Sequence, residues 1–213
     1  MRTVIFDFDG TIADSFDTVI AIAYKLTKRP ELADIEYVKR MKADNVGLRE
    51  AIKRLNIPKW KQLYLLQRGR SMMGRQIHQI PTFMQIDDTL KVLKENNFKL
   101  YIISSNSSAN IERFLLEKGL LSYFAGVYGG AGLFNKSKLI NKILSQENLK
   151  VEASVYVGDE VRDILAAKEV NMPCIAVSWG YNSLDLLVQY APMVIARNPK
   201  QLEKILLEWD KTL

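Results

Sequence analysis

Residues 4–11 of this 213-residue chain read Val-Ile-Phe-Asp-Phe-Asp-Gly-Thr. Val4, Ile5 and Phe6 form an apolar run suited to a buried strand, and Asp7 and Asp9 fall where such a strand should end. Alternate residues of an extended chain share a face, with Cα atoms about 6.6 Å apart at a rise of roughly 3.3 Å per residue. Two carboxylates directed into one crevice repel each other and lose hydration, so a folded chain needs a reason to keep them. A bound divalent cation is one reason. Another is a division of labour in which one carboxylate attacks while the other moves a proton. Gly10 lets the chain turn sharply, and Thr11 can hydrogen-bond a carboxylate or cap the next turn.

Three further clusters carry chemistry. Ser104-Ser105-Asn106-Ser107-Ser108 follows the apolar run 100–103. By itself it is a serine-rich turn and a helix N-cap; beside an aspartate pair, its hydroxyl and backbone N–H can hold phosphoryl oxygens. Phe134-Asn135-Lys136-Ser137-Lys138 precedes an amphipathic stretch, and a lysine there is ordinarily a solvent-facing charge. Val155-Tyr156-Val157-Gly158-Asp159-Glu160-Val161-Arg162-Asp163 runs from an apolar strand into acids. Asp159 and Asp163 share a face if a helix starts at Asp159, and acids in a first helical turn also complement the helix dipole. Hard oxygen ligands at this density suit Mg²⁺, which binds through a few carboxylates and keeps several waters.

The elements that position these residues follow from periodicity. Residues 14–80 read as wholly helical, punctuated by Pro30, Pro58 and Pro81. From about residue 84, apolar runs at 100–103, 126–128, 154–157, 174–177 and, weakly, 193–196 alternate with helix candidates at 85–96, 108–119, 136–146, 160–170, 183–190 and 199–210. Such alternation predicts an α/β fold with a doubly wound parallel sheet covered by helices on both faces. The first strand belongs to that sheet although its partners resume some 90 residues later. The expected organisation is a core of residues 1–14 and 82–213 with an all-helical cap inserted at 15–81. Ligands of open α/β sheets bind outside the carboxyl ends of the strands, where such an insertion can close as a lid.

Asp-x-Asp-Gly-Thr after an N-terminal strand resembles the nucleophile motif of the haloacid dehalogenase-like hydrolase superfamily, and the likeness extends over nearly the whole chain. The Ser104 cluster, the lysine before the third helix candidate and Gly158-Asp159…Asp163 are similar to the superfamily's other motifs. The resemblance implies a Rossmann-like core with a helical cap. It also implies a Mg²⁺-dependent phosphatase, similar to phosphoglycolate phosphatase-like members, acting on a small phosphorylated metabolite such as phosphoglycolate or a sugar phosphate. On that pattern Asp7 attacks phosphorus to give an aspartyl-phosphate. Asp9 protonates the leaving alcohol and then activates water, its backbone carbonyl also ligating Mg²⁺. Asp7 and Asp159 supply metal carboxylates, and Asp163 supports their shell, with Glu160 nearby. Ser104 and Lys136 hold phosphoryl oxygens, with Ser105 and Lys138 as the alternatives. Gly10, Thr11, Ser105 and Asn106 are expected around the substrate. The chain has Lys-Ser-Lys-Leu where many relatives have Lys-Pro-x-Pro; Lys136 is the choice because Ser137 then suits the N-cap. In the cap, Arg49 is a candidate substrate contact. Dehalogenating relatives generally lack a second aspartate, so Asp9 argues against that chemistry. A phosphosugar mutase is the first alternative, and a non-catalytic module binding a phosphate ligand or a partner is the second.

Composition bounds the rest. Hydrophobic residues at 48% and charged residues at 25% can bury a sizeable core. No apolar run approaches the roughly 20 residues of a membrane span. No secretory signal is read at the N-terminus, and Cys174 is the only cysteine; both fit a cytoplasmic protein. Cys174, in a buried-strand pattern, reads as a core thiol. The net charge is +6, and residues 15–82, with 14 Lys/Arg and 6 Asp/Glu, carry an excess of +8. Either this is a solvated helical surface or a positive lid that draws anionic substrates over an acidic core. The charges form no dense run, so nucleic acid is not an expected partner; a monomer or homodimer is expected. His78 reads as a surface residue; Trp179-Gly180-Tyr181, which follows a strand, either borders the site or packs in the core or a turn, and packing is the favoured reading.

Overall fold

The computed structural model describes residues 2–34, 36, 38, 58–130 and 136–209. Its centre is β1 (Thr3–Phe6), whose β-branched and aromatic residues are all buried. A strand enclosed on both faces reads as a continuous apolar run, as this one does. With β2 (Lys99–Ile103), β3 (Phe124–Tyr128), β4 (Ser154–Gly158), β5 (Cys174–Val177) and β6 (Val194–Ala196), it forms a six-stranded sheet of order β3-β2-β1-β4-β5-β6. Every pairing is parallel, with Ile5 beside Tyr101 of β2 and Tyr156 of β4. The strand order reverses between β1 and β4, which places a ligand crevice at their carboxyl ends.

The helices between and after the strands are α3 (Ile86–Glu95), α4 (Ser108–Glu117), α5 (Lys136–Gln146), α6 (Val161–Glu169), α7 (Leu184–Gln189) and, following β6, α8 (Pro199–Trp209). Strand alternation divides the core in two. Val4, Phe6, Leu100, Ile102, Val155 and Val157 pack with Leu90 of α3, Phe114 of α4 and Leu202 of α8. Ile5, Tyr101, Ile103 and Tyr156 pack with Ile140 of α5 and Ile164 of α6 on the other face. Cys174 is buried in β5, and burial pushes its thiol pKa up. The expected elements are present with ends shifted by a few residues. One boundary matters: α5 begins at Lys136, so Ser137 lies inside its first turn rather than at its N-cap.

Between β1 and α3 the described chain forms α1 (Phe16–Thr27) and α2 (Lys59–Gln76), with short 3-10 turns at Pro30–Leu32 and Ile77–Gln79. The segment is not wholly helical from residue 14. Asp14 N–H donates to Pro81 O at 2.9 Å, Phe83 N–H donates to Ile12 O at 3.1 Å, and Ala13 bridges antiparallel to Thr82. The outgoing and returning segments are thus tied together at the rim of the sheet. Arg49 falls outside the described residues. His78 is exposed on the second 3-10 turn. No helix among the described residues is long and apolar enough to cross a membrane.

Candidate active site

The loop after β1 is anchored from below. Phe8, between the two aspartates, is fully buried and meets Phe114 edge-on at 5.1 Å. Burying such a ring stabilises by about 1.5–3 kcal/mol, and the edge-on pair adds about 0.5–1.5 kcal/mol. Phe8 O accepts the N–H groups of Thr11, Ile12 and Ala13, closing a tight turn. Gly10 occupies it at φ +83°, in the left-handed region, and an ideal Cβ there would overlap Asp159 Oδ2. The turn therefore packs against the Asp159 end of β4, at the point where the strand order reverses.

Asp7, Asp159 and Asp163 converge there, each offering an oxygen within 4.8 Å of the others. Asp159 is fully enclosed; its Oδ1 accepts from Thr11 Oγ1 at 2.8 Å and its Oδ2 from Tyr181 N at 2.6 Å. Asp163 reaches the cluster by a route different from the expected shared helix face. Glu160 is extended (φ −118°, ψ 152°) and the helix starts only at Val161, so Asp159 ends the strand while Asp163 sits in the first helical turn. There it accepts the Glu160 N–H at 3.0 Å. Lys136 Nζ lies between Asp163 Oδ1 and Asp7 Oδ2, 2.7 Å from the latter, and over the Tyr156 ring. Lys136 is 5% exposed, whereas Lys138 is exposed, so α5 directs only Lys136 into the site.

Burial dominates the electrostatics. It raises the Asp7 pKa to about 7 even though Lys136 opposes it. It pushes Asp159 well above the ordinary carboxylate value, aided by Glu160, Asp7 and Asp163. Burial alone would lower Lys136, but Asp163 and Asp7 outweigh it and keep the ammonium charged. Asp7, Asp159, Asp163 and Glu160 are four enclosed acids. Lys136 and Arg162, the latter 2.5 Å from Glu160, are the two cations among them. Counted as ionised, the acids exceed the cations by two charges; burial opposes that excess by raising Asp7 and Asp159, and a divalent ion would offset it. Asp7 Oδ2 is buried, and among the described residues the Lys136 ammonium, at 2.7 Å, is the partner paired with it. This donor set fits a hard cation such as Mg²⁺.

Asp9 stands apart from the triad and is only partly enclosed. Ser15 Oγ donates to its Oδ1 at 2.8 Å, and Asn106 Nδ2 approaches its Oδ2 at 3.3 Å. Burial raises its pKa, and these two hydrogen bonds pull against it. Ser15 in turn shares a 2.8 Å hydrogen bond with the Tyr181 hydroxyl. In the serine cluster, Ser104 is fully buried and its Oγ accepts Asn106 N–H at 3.0 Å, which makes it part of the turn. Ser105 is partly exposed, and Ser107 is the residue that caps α4, accepting from Asn110 N.

Several participants were not expected from sequence. Tyr181, read as packing, supplies a backbone donor to Asp159 and a hydroxyl to Ser15. Its position after β5, at the same rim as the other strand ends, was the available signal. Ser15, Arg162 and Asn182, whose Oδ1 accepts Val161 N–H at 2.8 Å, carried none. A cavity of about 360 Å³ adjoins the site, bounded by Asp14, Phe16, Asp17, Phe83, Trp179 and Tyr181. None of the converging carboxylates lines it.

Residues 4–177 match the family described as haloacid dehalogenase-like hydrolase. A phosphoglycolate phosphatase of Synechococcus elongatus is 35% identical over 207 residues, 95% of each chain. Among solved structures, a predicted phosphatase from Clostridium acetobutylicum superposes with a TM-score of 0.81 at 22% identity, covering 97% of this chain and 98% of that one. A haloacid dehalogenase-like family hydrolase from Streptococcus pneumoniae gives 0.77 at 25% identity, with 97% and 98% covered.

Proposed function

The chain belongs to the haloacid dehalogenase-like hydrolase family and is a phosphoric monoester hydrolase; from that premise we propose that it is a Mg²⁺-dependent phosphatase of small phosphorylated metabolites that works through an aspartyl-phosphate. Phosphoglycolate is the first substrate to test, because the 35%-identical relative from Synechococcus elongatus is a phosphoglycolate phosphatase. The observation that carries the reading is the meeting of Asp7, Asp159, Asp163 and Lys136 at the strand switch point, with Asp9 two residues beyond Asp7.

Asp7 is the nucleophile. Its carboxylate attacks phosphorus, and the P–O bond to the alcohol breaks. Asp9, neutral at that moment, gives its proton to the departing oxygen. It then takes a proton from the water that attacks the phosphorus of the aspartyl-phosphate, and inorganic phosphate is released. A raised Asp9 pKa suits both halves of this cycle. Lys136 neutralises charge on the transferred group, and its buried position between Asp7 and Asp163 fixes where that charge sits. We assign the serine contact to Ser105 rather than Ser104, since Ser104 is enclosed and its oxygen is held by the Asn106 N–H. Asp7, Asp159 and the Asp9 carbonyl would hold Mg²⁺, with Asp163 supporting them. When bound, the ion offsets negative charge on the phosphoryl oxygens. The insertion 15–81, whose described part includes α1 and α2, serves as a lid, and the positive excess of its sequence draws anionic esters toward the centre.

The test is a panel of phosphate esters assayed with Mg²⁺ and with chelator: phosphoglycolate, sugar phosphates, nucleotides and pyrophosphate. Mg²⁺-dependent phosphate release from a small monoester is the expected result. Isomerisation of a sugar 1-phosphate without phosphate release would make the protein a mutase. No turnover by a folded, Mg²⁺-loaded protein would make it a binding module.

A further inference from the structure

Asp9 has a support that reaches into the helical insertion. Asn106 Oδ1 accepts from Ser107 N at 2.9 Å and from Asn110 Nδ2 at 2.9 Å. The Ser107 N–H can only donate, so the oxygen of the Asn106 amide must face it, and the nitrogen is left to face Asp9. Asn110 Nδ2 also donates to the backbone carbonyl of Arg70, on α2, at 2.9 Å. A carbonyl can only accept, so the orientation of the Asn110 amide is fixed by α2. Its oxygen is directed at Gly74, one turn further along α2, where an ideal Cβ would overlap it. The same α2 residue grips the loop a second time, since Arg70 Nε donates to Ser105 O at 2.8 Å. All of these groups are half-buried or buried.

We infer that Arg70 and Asn110 are positioning residues for Asp9, forming an amide relay from the α2 backbone through Asn106 to the acid's Oδ2. Each amide in the relay has its polarity set by a partner that cannot reverse: the Arg70 carbonyl for Asn110 and the Ser107 N–H for Asn106. The relay presents an N–H, never a C=O, to Asp9. With Ser15 donating to Oδ1, both carboxyl oxygens are held, one from each side of the insertion: Ser15 where the chain leaves the core, and Asn106 through α2 before the chain returns. The proton-transfer group is thereby held jointly by the core loop and the helical insertion, while Asp7 is oriented by the core. Gly74 is the residue that lets Asn110 lie against α2.

The inference rests on Asp9 as the acid of the proposed reaction, and the experiment separates the two claims. Asn110→Asp puts an acceptor where the relay needs a donor; Asn110→Ala removes the group and suits a helix. Each is compared with unmodified protein and with Asp9→Asn in single-turnover phosphoryl transfer to the enzyme. One ester has a poor leaving group, phosphoglycolate; the other, p-nitrophenyl phosphate, has a leaving group that departs without a proton. Loss of a general acid slows only the first of these. The expected result is a loss of about tenfold or more on phosphoglycolate for both Asn110 variants, with the nitrophenolate burst within about twofold of the unmodified protein. Asn110→Asp is the more impaired. Equal losses on both esters would mean that Asn110 serves only general folding and would overturn the inference, as would no loss on either. If Asp9→Asn itself fails to distinguish the esters, the assignment of Asp9 is wrong and the relay falls with it. If Asp9→Asn distinguishes them and the Asn110 variants do not, only the relay is wrong.

Discussion

Replacing Lys136 by methionine keeps most of the apolar stem while deleting the ammonium, with its charge and its contact over the Tyr156 ring. Its ammonium is the cation that Asp7 Oδ2 and Asp163 Oδ1 share, and it is 5% exposed. Removing one member of a buried charge pair costs about 3–5 kcal/mol, because the remaining charge is left without compensation. Part of that cost is recovered if the stranded carboxyl takes up a proton. Asp7 already has a pKa of about 7 with Lys136 lowering it, and without Lys136 the pKa rises further. The penalty therefore depends on pH. At about pH 8 in chelator it should be larger than at acid pH and bounded by that full cost, a fall in Tm of at most about 6–20 °C at 2–4 °C per kcal/mol for a chain of this size. At about pH 5 Asp7 is protonated in both proteins and the gap narrows. Phosphatase activity should fall by about a hundredfold or more, the cost of losing a preorganised cation. Lys138→Met, two residues further along α5 and on its exposed side, should stay within about 0.5 kcal/mol of the parent. Differential scanning calorimetry over pH, paired with activity, reads all of this. A pH-independent deficit, or an equal loss at Lys138, would refute the placement of Lys136 between the two acids.

Other expectations follow from the same charge balance. Burial raises the folded-state pKa values of Asp7, Asp9 and Asp159 above their unfolded value. In the window from about pH 4 to about pH 7 the folded, metal-free protein thus binds more protons than the unfolded chain, and stability from these groups is lost as pH rises through that window. Thermal melts in chelator should show it, and Mg²⁺ should restore stability at the alkaline end. Asp159→Asn removes a group whose ionisation burial opposes and keeps the acceptor for Tyr181 N–H; in chelator it should melt higher than the parent at the alkaline end, and it should gain little from Mg²⁺. Gly10→Ala introduces both a left-handed conformation and an overlap with Asp159, costing about 1–3 kcal/mol in urea titrations and most of the activity.

The architecture was legible because its signals are local. Apolar runs and helical spacing located β1, β2, β4 and β5 within a residue or two, and the strand termini fixed which acids face the crevice. Lys136 was legible as one of two lysines, but only burial separates it from Lys138. The pairing of Asp159 with Asp163 was anticipated for the wrong geometric reason, since the helix begins two residues later than that argument required. What stayed hidden depends on contacts between distant positions. Thr11 and Asp159 are 148 residues apart, Ser15 and Tyr181 166 apart, and Asn110 and Arg70 40 apart. Serine, tyrosine and asparagine at such positions are also common caps and turn residues, so nothing in their immediate neighbours marks them. An arginine in a first helical turn is ordinarily a surface charge, so nothing in the sequence around Arg162 marks it.

The central claim is that Asp7 carries the phosphoryl group. The direct measurement is acid quenching of the protein during turnover of phosphoglycolate with Mg²⁺, reduction of any acyl phosphate with borohydride, and peptide mass spectrometry. Conversion of residue 7 to homoserine, absent without substrate and absent in Asp7→Asn, is the predicted result. Reduction at Asp9 or Asp159 instead, or turnover that leaves every carboxyl unmodified, would contradict the account.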